Sequence, residues 1–381
     1  MQPMLLSDEQ EAYRRSIRRL CGDHVAPFAR EVDESGAFPW KTYERLVEAG
    51  ILGLGIPEQY GGTGADQVSQ AITIEELARA CGSTSLIMQI SKLATIPILM
   101  WGSEDLKQRY LPGIVSGRFQ AAYCLSEAEA GSDVAAMTTT ARHEGSEYVL
   151  SGNKAWVSNA GIAEASIVFA KTEPGAGHRG ISAFVVDNGP GVRVTRLYNK
   201  LGMRASPTGD VSFEEVRVPE ANLLGNEGDG FRIAMSALDR SRPGIGAQAV
   251  GIAQGALDAA LAYLKQRQAF GKRIADFQGL QFMVADAVMS IEAARGLVYA
   301  AHAMIDADHP DLTRMGAMAK CMASDVAMQV TTDAVQLFGG LGYTSEAPVE
   351  RMMRDAKATQ IYEGTNQIQR MVVARKALEG G

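Results

Sequence analysis

Near its end the sequence carries a dense polar run from Arg351 to Arg370, containing Arg354, Asp355, Lys357, Gln360, Tyr362, Glu363, Gly364, Thr365 and Gln367. One carboxylate in it, Glu363, follows an aromatic residue and precedes a glycine. Glycine admits backbone conformations that other residues resist and lets another group approach closely. A Glu held on such a turn suits a general base that must reach a buried substrate. The same residues also describe a helix-end Glu in solvent beside a C-cap glycine, and alone they leave both readings open.

Four other clusters could do chemistry. Tyr123, Leu125, Ser126, Glu127, Glu129, Gly131, Ser132 and Asp133 bring hydroxyls, carboxylates and a glycine into one short stretch. That stretch is equally a surface loop with a Ser126-to-Glu129 capping pattern. Between Gly152 and Gly161, Trp156 stands near Ser158 and Asn159. Such a set could flank a planar ring, stacking on a face and hydrogen-bonding at an edge, or it is a core Trp on a strand. Leu238, Asp239, Arg240, Ser241 and Arg242 open a long helix, where Arg can hold phosphate or carboxylate. Arg267, Phe270, Gly271 and Lys272 form the last cluster. Gln266 stands where a phosphate-binding loop ending at Gly271 and Lys272 would need its first glycine, and no GxGxxG follows a strand. A Rossmann site is not indicated, so a nucleotide cofactor would bind by a different architecture.

The elements that must position these groups are bounded by composition. The 381 residues exceed the length at which one core usually splits, so two or three domains are expected. A hydrophobic share of 46% and a charged share of 21% are ordinary for a globular protein. Lys+Arg 37 against Asp+Glu 44 gives a net charge of −7, which argues against broad nucleic-acid binding. Cys21, Cys81, Cys124 and Cys321 lie far apart without a CxxC, which suits reduced intracellular thiols. The five histidines lack HExxH spacing, so no metal is expected. The N-terminus turns acidic at once and has no apolar core of signal length. The apolar stretch from Leu86 to Trp101 is interrupted by Gln89 and Lys92 and is taken as too short and too polar for a membrane span.

Ser7 and Gln10 form a capping box, so a helix is expected from about residue 8. Helical patterns follow at 41–49, 67–80 and 84–100, and a segment from Asp105 to Leu111 is expected to end at Pro112. Beyond Phe119 come short β-rich runs, with a hairpin turn at Glu144 and Gly145 and a bulge where alternation slips between Val211 and Val218. Sandwich and barrel both remain open for this β region. From Gly230 long helices return with three stripes. One runs Val250, Ala253, Leu257, Leu261, Leu264. The second runs from Leu280 to Ile305 in steps of four and three. The third runs Met315, Met318, Met322, Val326, Val330, Ala334, Leu337. Such helices suit a four-helix bundle. The expected fold is mainly α with a central β-domain: an N-terminal helical domain over 1–117, a middle β-barrel or sandwich over 118–225, and a C-terminal helical bundle over 226–381.

Taken together, the clusters resemble the acyl-CoA dehydrogenase family, of the short- and medium-chain type. The stretch from Tyr123 to Asp133 resembles its first signature. Phe338 to Tyr343, followed by Pro348 to Lys357 and Ile361 to Thr365, resembles its second. Trp156 to Asn159, Lys200 to Thr208 and Arg267 to Gly271 fall between them in the family's order, so the resemblance spans essentially the whole chain. It implies the same three-domain fold and a bound FAD between β-domain and bundle. Tyr123, Leu125, Ser126, Trp156 and Ser158 would stand around the flavin. Arg267, Phe270, Gln278, Gln336 and Gly340 would serve a neighbouring subunit's cofactor, while Thr365 and Gln367 meet the cofactor on their own. Ser132, Leu238, Asp239, Arg242, Tyr362 and Gly364 would hold the acyl-CoA, with residues 86–99 along the acyl chain and Lys92 turned to solvent.

Glu363 would be the base, taking the α-proton while the β-hydride leaves for the flavin, to give a trans-2-enoyl-CoA. Ser241 stands where isovaleryl and long-chain relatives carry their base. Further implications are transfer of electrons to an electron-transferring flavoprotein, a homotetramer, a place in fatty acid β-oxidation and preference for short to medium straight chains. The expected location is cytoplasmic, with a processed organellar chain as the alternative. A flavin oxidase or monooxygenase, a non-catalytic acyl-CoA binder and a DNA-associated relative are the competing functions.

Overall fold

The computed structural model describes residues 6–379. Six helices come first: α1 (Asp8–His24), α2 (Ala29–Ser35), α3 (Trp40–Glu48), α4 (Gln67–Ala80), α5 (Gly82–Trp101) and α6 (Glu104–Val115). The Ser7 capping box is present, with both reciprocal hydrogen bonds made. Helix α6 runs on through Pro112 instead of stopping there. Leu111 and Ile114 are both buried, and that packing outweighs the lost backbone donor.

Eight strands follow: β1 (Gln120–Cys124), β2 (Thr140–Glu144), β3 (Glu147–Ser158), β4 (Ala163–Lys171), β5 (Ile181–Asp187), β6 (Val192–Leu197), β7 (Thr208–Pro219) and β8 (Leu223–Leu224). Their order is β6-β7-β3-β2-β4-β5-β8, with β1 parallel to β4. The pair Thr140 and Lys171 alone joins β2 to β4, so two sheets meet there at a corner. Leu150 and Val157 of β3 and Phe213 of β7 pack from one sheet against Val168, Phe184 and Val186 of the other. The arrangement is a sandwich joined along one edge. The expected bulge is present, with Glu215 at φ 51 where the β3–β7 register shifts.

The chain then enters α7 (Gly230–Gln266), a small hairpin of β9 (Gln268–Ala269) and β10 (Lys272–Arg273), α8 (Gln278–Asp306), α9 (Leu312–Phe338), α10 (Pro348–Thr359) and α11 (Asn366–Glu379). The first two stripes bury much as read, with Leu261, Leu280 and Val284 only partly covered. The third needs correction. Met322 is 41% exposed, and Ala319 and Ala323 occupy the buried positions. A side chain on Gly246 of α7 would stand 3.3 Å from the Ala319 carbonyl, so α7 and α9 approach too closely for methionine between them.

By length and composition α5 and α7 could cross a membrane, which corrects the reading of residues 86–101 as too short. Their apolar windows are instead 78% and 72% buried inside the fold. Arg354 ties the regions together: it donates to Asp33 at 2.6 Å, to the Leu201 carbonyl at 2.9 Å and to Glu350 at 2.7 Å.

Candidate active site

The turn between α10 and α11 holds Glu363 at φ 52 and Gly364 at φ 93. A non-glycine residue in the left-handed region costs roughly 1–2 kcal/mol, so the turn must be held from outside. Gln369 Nε2 donates to the carbonyls of Glu363 at 3.1 Å and Gly364 at 3.0 Å. Lys320 Nζ donates to the Gly364 carbonyl at 2.8 Å. A Cβ at position 364 would lie 2.6 Å from Gln369 Nε2, so only glycine allows this clamp.

Glu363 is not a helix-end side chain in bulk solvent. It lies deep in the chain yet keeps accessible surface, as a group facing an internal cleft does. Its carboxylate accepts a hydrogen bond from Ser241 Oγ of α7 at 2.5 Å. Burial raises its pKa above the ordinary carboxylate value. The Ser241 hydrogen bond and the charges of Arg242, Lys320 and Lys92 oppose that rise without cancelling it. Among the described residues the Glu363 N–H has no hydrogen-bond partner.

Around this carboxylate the fold gathers several of the expected residues. Tyr123 of β1 is close enough to feel the charges of Glu363 and Arg242, and its hydroxyl donates to the Ala234 carbonyl at 3.5 Å. Tyr362 donates to Gln248 of α7. Leu238 is buried one turn before Arg242. Arg242 is also buried, with Nη1 donating to Asp239 at 2.6 Å and Nε unpartnered. Asp239 accepts a second bond from Thr313 at 2.6 Å. Ser132 is exposed on the loop after β1.

Asp239 and Arg240 also line a cleft of about 690 Å³, together with Arg179, Phe231, Arg232 and His309. Sequence reading did not find Arg179, Phe231, Arg232 or His309 as site residues. Phe231 and Arg232 are neighbours on α7, while Arg179 and His309 come from separate segments, and no local pattern connects the three.

Lys92 departs from its expected orientation. Its ammonium donates to Gln67 of α4 at 2.6 Å, and burial lowers its pKa to about 8. It therefore lies inside the fold within electrostatic reach of Glu363, not in solvent.

The β-domain presents a second surface. A register shift in β3 between Lys154 and Val157 throws Trp156 outward at φ 60, leaving it 58% exposed and stacked on Tyr198 at 4.2 Å. Below it, Lys154 and Glu127 pair at 2.9 Å in the interior. Lys154 also donates to the Leu125 carbonyl at 3.2 Å, and the Ala155 N–H donates to the Ser126 carbonyl at 2.9 Å. Glu127, which the sequence set beside Glu129 without a role of its own, thus fixes the loop carrying Leu125 and Ser126, whereas Glu129 is exposed. Among the described residues the hydroxyls of Ser126 and Ser158 have no hydrogen-bond partners. An exposed indole beside two unspent hydroxyls fits a flat ring with polar edges.

Arg267, Phe270, Gln278, Gln336 and Gly340 are all exposed at one end of the bundle, where Tyr263 stacks on Phe338 at 4.3 Å. At ~1.5 Å per residue, Arg267 lies roughly 39 Å along α7 from Ser241. Thr365 and Gln367 follow the Glu363 turn, Gln367 exposed and Thr365 partly covered.

Comparison with known proteins accords with this geometry. Residues 7–118, 122–216 and 228–378 match the acyl-CoA dehydrogenase N-terminal, middle and C-terminal domains. The chain is 50% identical over 374 residues to the probable acyl-CoA dehydrogenase FadE25 of Mycobacterium tuberculosis, covering 98% of this chain and 96% of that one. It resembles the solved butyryl-CoA dehydrogenase of Megasphaera elsdenii with a TM-score of 0.96 and 41% identity, covering 98% and 99%. A chain solved in work on the electron transferring flavoprotein of Acidaminococcus fermentans also gives a TM-score of 0.96, at 44% identity and the same coverage. By all three domains and by identity along almost its full length, the chain belongs to the acyl-CoA dehydrogenase family of oxidoreductases.

Proposed function

We propose that this chain dehydrogenates an acyl-CoA thioester between its α and β carbons, giving a trans-2-enoyl-CoA, with FAD as cofactor. The observation that carries the reading is a single carboxylate, Glu363, held deep on a left-handed turn beside its own unpartnered N–H. A thioester α-proton is very weakly acidic. It becomes removable when a fixed donor meets the carbonyl oxygen as enolate charge develops. The Glu363 N–H offers that donor and the Glu363 carboxylate takes the proton. Its raised pKa makes it a stronger base than an exposed carboxylate. FAD, when bound, supplies the two-electron acceptor for the β-hydrogen. Trp156 would flank its ring, with Leu125, Ser126 and Ser158 at the edge and Thr365 and Gln367 near the rest.

The 690 Å³ cleft would take the nucleotide end of CoA: Arg179, Arg232 and Arg240 line it, the last two paired with Asp229 and Asp308 that a phosphate would have to replace, and Phe231 offers an aromatic face. Arg242 and Asp239 lie between that cleft and the base. The acyl chain would run along α5, with short to medium straight chains preferred. An electron-transferring flavoprotein is the acceptor proposed, supported by the relative solved in such a context. The assembly proposed is a homotetramer.

The test is anaerobic single-turnover bleaching of bound flavin by an acyl-CoA series. Glu363→Gln should keep FAD and acyl-CoA binding and lose ~10²–10⁴-fold in bleaching rate. Bleaching near the wild-type rate would place the base elsewhere.

A further inference from the structure

Lys320 of α9 has no accessible surface. Its Nζ donates to the Gly364 carbonyl and to Asn366 Oδ1, each at 2.8 Å. Both acceptors are neutral. Among the described residues Lys320 makes no ion pair, and nearby Asp325 is engaged by Arg370 at 2.5 Å and by Asn366 at 2.7 Å. A neutral donor could bond the same two oxygens, while a buried ammonium without a paired carboxylate carries a substantial desolvation cost. Its bond to the Gly364 carbonyl sets the charge one residue from Glu363, within electrostatic reach of that carboxylate.

We propose that Lys320 is a positioning residue for the base. Its two hydrogen bonds fix the Glu363–Gly364 turn, and its charge keeps the Glu363 carboxylate ionised. The inference rests on Glu363 being the base. Facing the same carboxylate are Arg242 and Ser241 from α7, Lys92 from α5, Tyr123 from β1 and Tyr362 from the turn itself. Cys321 and Asp325 of α9 act on Lys320. Burial favours the neutral forms of both Lys320 and Glu363, so each charge supports the other across the turn. Removing the lysine charge therefore raises the Glu363 pKa further, and the loss of base falls mainly at low pH.

The experiment compares wild type, Lys320→Met and Lys320→Gln as FAD-loaded enzymes. Bleaching rate is followed against pH, and the Glu363 carboxyl band is titrated by infrared difference against Glu363→Gln. The expected result is a carboxyl titration and an acid limb moved to higher pH in both Lys320 variants. Their rate deficit should be ~10-fold larger near about pH 6 than near about pH 9. Lys320→Gln keeps a donor for the turn and should share the shift with a smaller deficit at high pH. A deficit equal at all pH with an unmoved carboxyl titration would make Lys320 a scaffold only and overturn the proposal. So would failure of both variants to fold. If Glu363→Gln itself bleaches like wild type, the reading of the base fails. If Glu363→Gln is inactive and the Lys320 titrations do not move, this inference alone fails.

Discussion

Ser241 reaches the carboxylate of Glu363 across 122 residues of chain. In sequence it could be read only as a side chain that is not itself a base; Glu363 was visible because Tyr362 and Gly364 flank it. The bond is legible only once α7 and the α10–α11 turn meet. A hydroxyl donating to the carboxylate favours the charged form, so it lowers the Glu363 pKa against the larger effect of burial. In Ser241→Ala that opposition is lost, and the acid limb of kcat/KM against pH should move to higher pH. The rate on the alkaline plateau should fall less, since the carboxylate is ionised there in both enzymes. An acid limb that stays in place would mean that the Ser241 bond is absent in the working enzyme.

At the scale of elements, the β3 strand and the loop after β1 share one buried ion pair. Glu127 accepts from Lys154, from the N–H groups of Thr138 and Thr139 at 2.6 and 3.0 Å, and from both threonine hydroxyls. Burial alone would raise its pKa, but the Lys154 charge and the threonine donors outweigh it and hold the carboxyl at about 2. The folded pKa is depressed, so this stabilisation is complete above the ordinary value of 4.5 and is lost only as pH falls through about 2. Glu127→Gln leaves Lys154 buried without its partner and should cost ~3–5 kcal/mol in urea unfolding at neutral pH. It should also loosen FAD, because the Leu125–Ser126 loop is hung from the same lysine. A variant as stable as wild type would show that the pair contributes little.

The sequence pattern placed the strands and the β7 bulge because alternation is a local signal. It could not choose Glu127 over Glu129, since both sit in one polar stretch and only tertiary contact buries the first. The α9 stripe failed for a related reason: the spacing permits methionine or alanine, and only the close approach of α7 at Gly246 selects alanine.

On the scale of the whole molecule, the residues that resemble contacts to one cofactor fall into two sets on different domains of a single chain. Trp156, Ser126 and Ser158 belong to the β-domain, while Arg267, Phe270, Gln278, Gln336 and Gly340 crowd the far end of the bundle. That end is roughly 39 Å along α7 from the base at ~1.5 Å per residue, farther than one dinucleotide spans. Both sets can serve one FAD only if a second chain brings its bundle end to the first chain's β-domain. The exposed surface agrees with such a contact. Phe270 is 95% exposed, and Phe282 and Met289 of α8, 59% and 62% exposed, stand seven residues apart on one helical face. Two uncovered apolar side chains on one helical face suit such a contact. Replacing both with Asp, as Phe282→Asp with Met289→Asp, leaves the buried stripe of α8 intact and should therefore leave the subunit folded. Light scattering should then show species smaller than the tetramer proposed for wild type, and the separated subunits should lose FAD as they dissociate. Activity should return in part with excess FAD at high protein concentration, because mass action restores the shared site. A doubly substituted chain that scatters as a monomer and still retains FAD and full bleaching rate would show that one chain holds the cofactor alone, and the shared-site arrangement would be wrong.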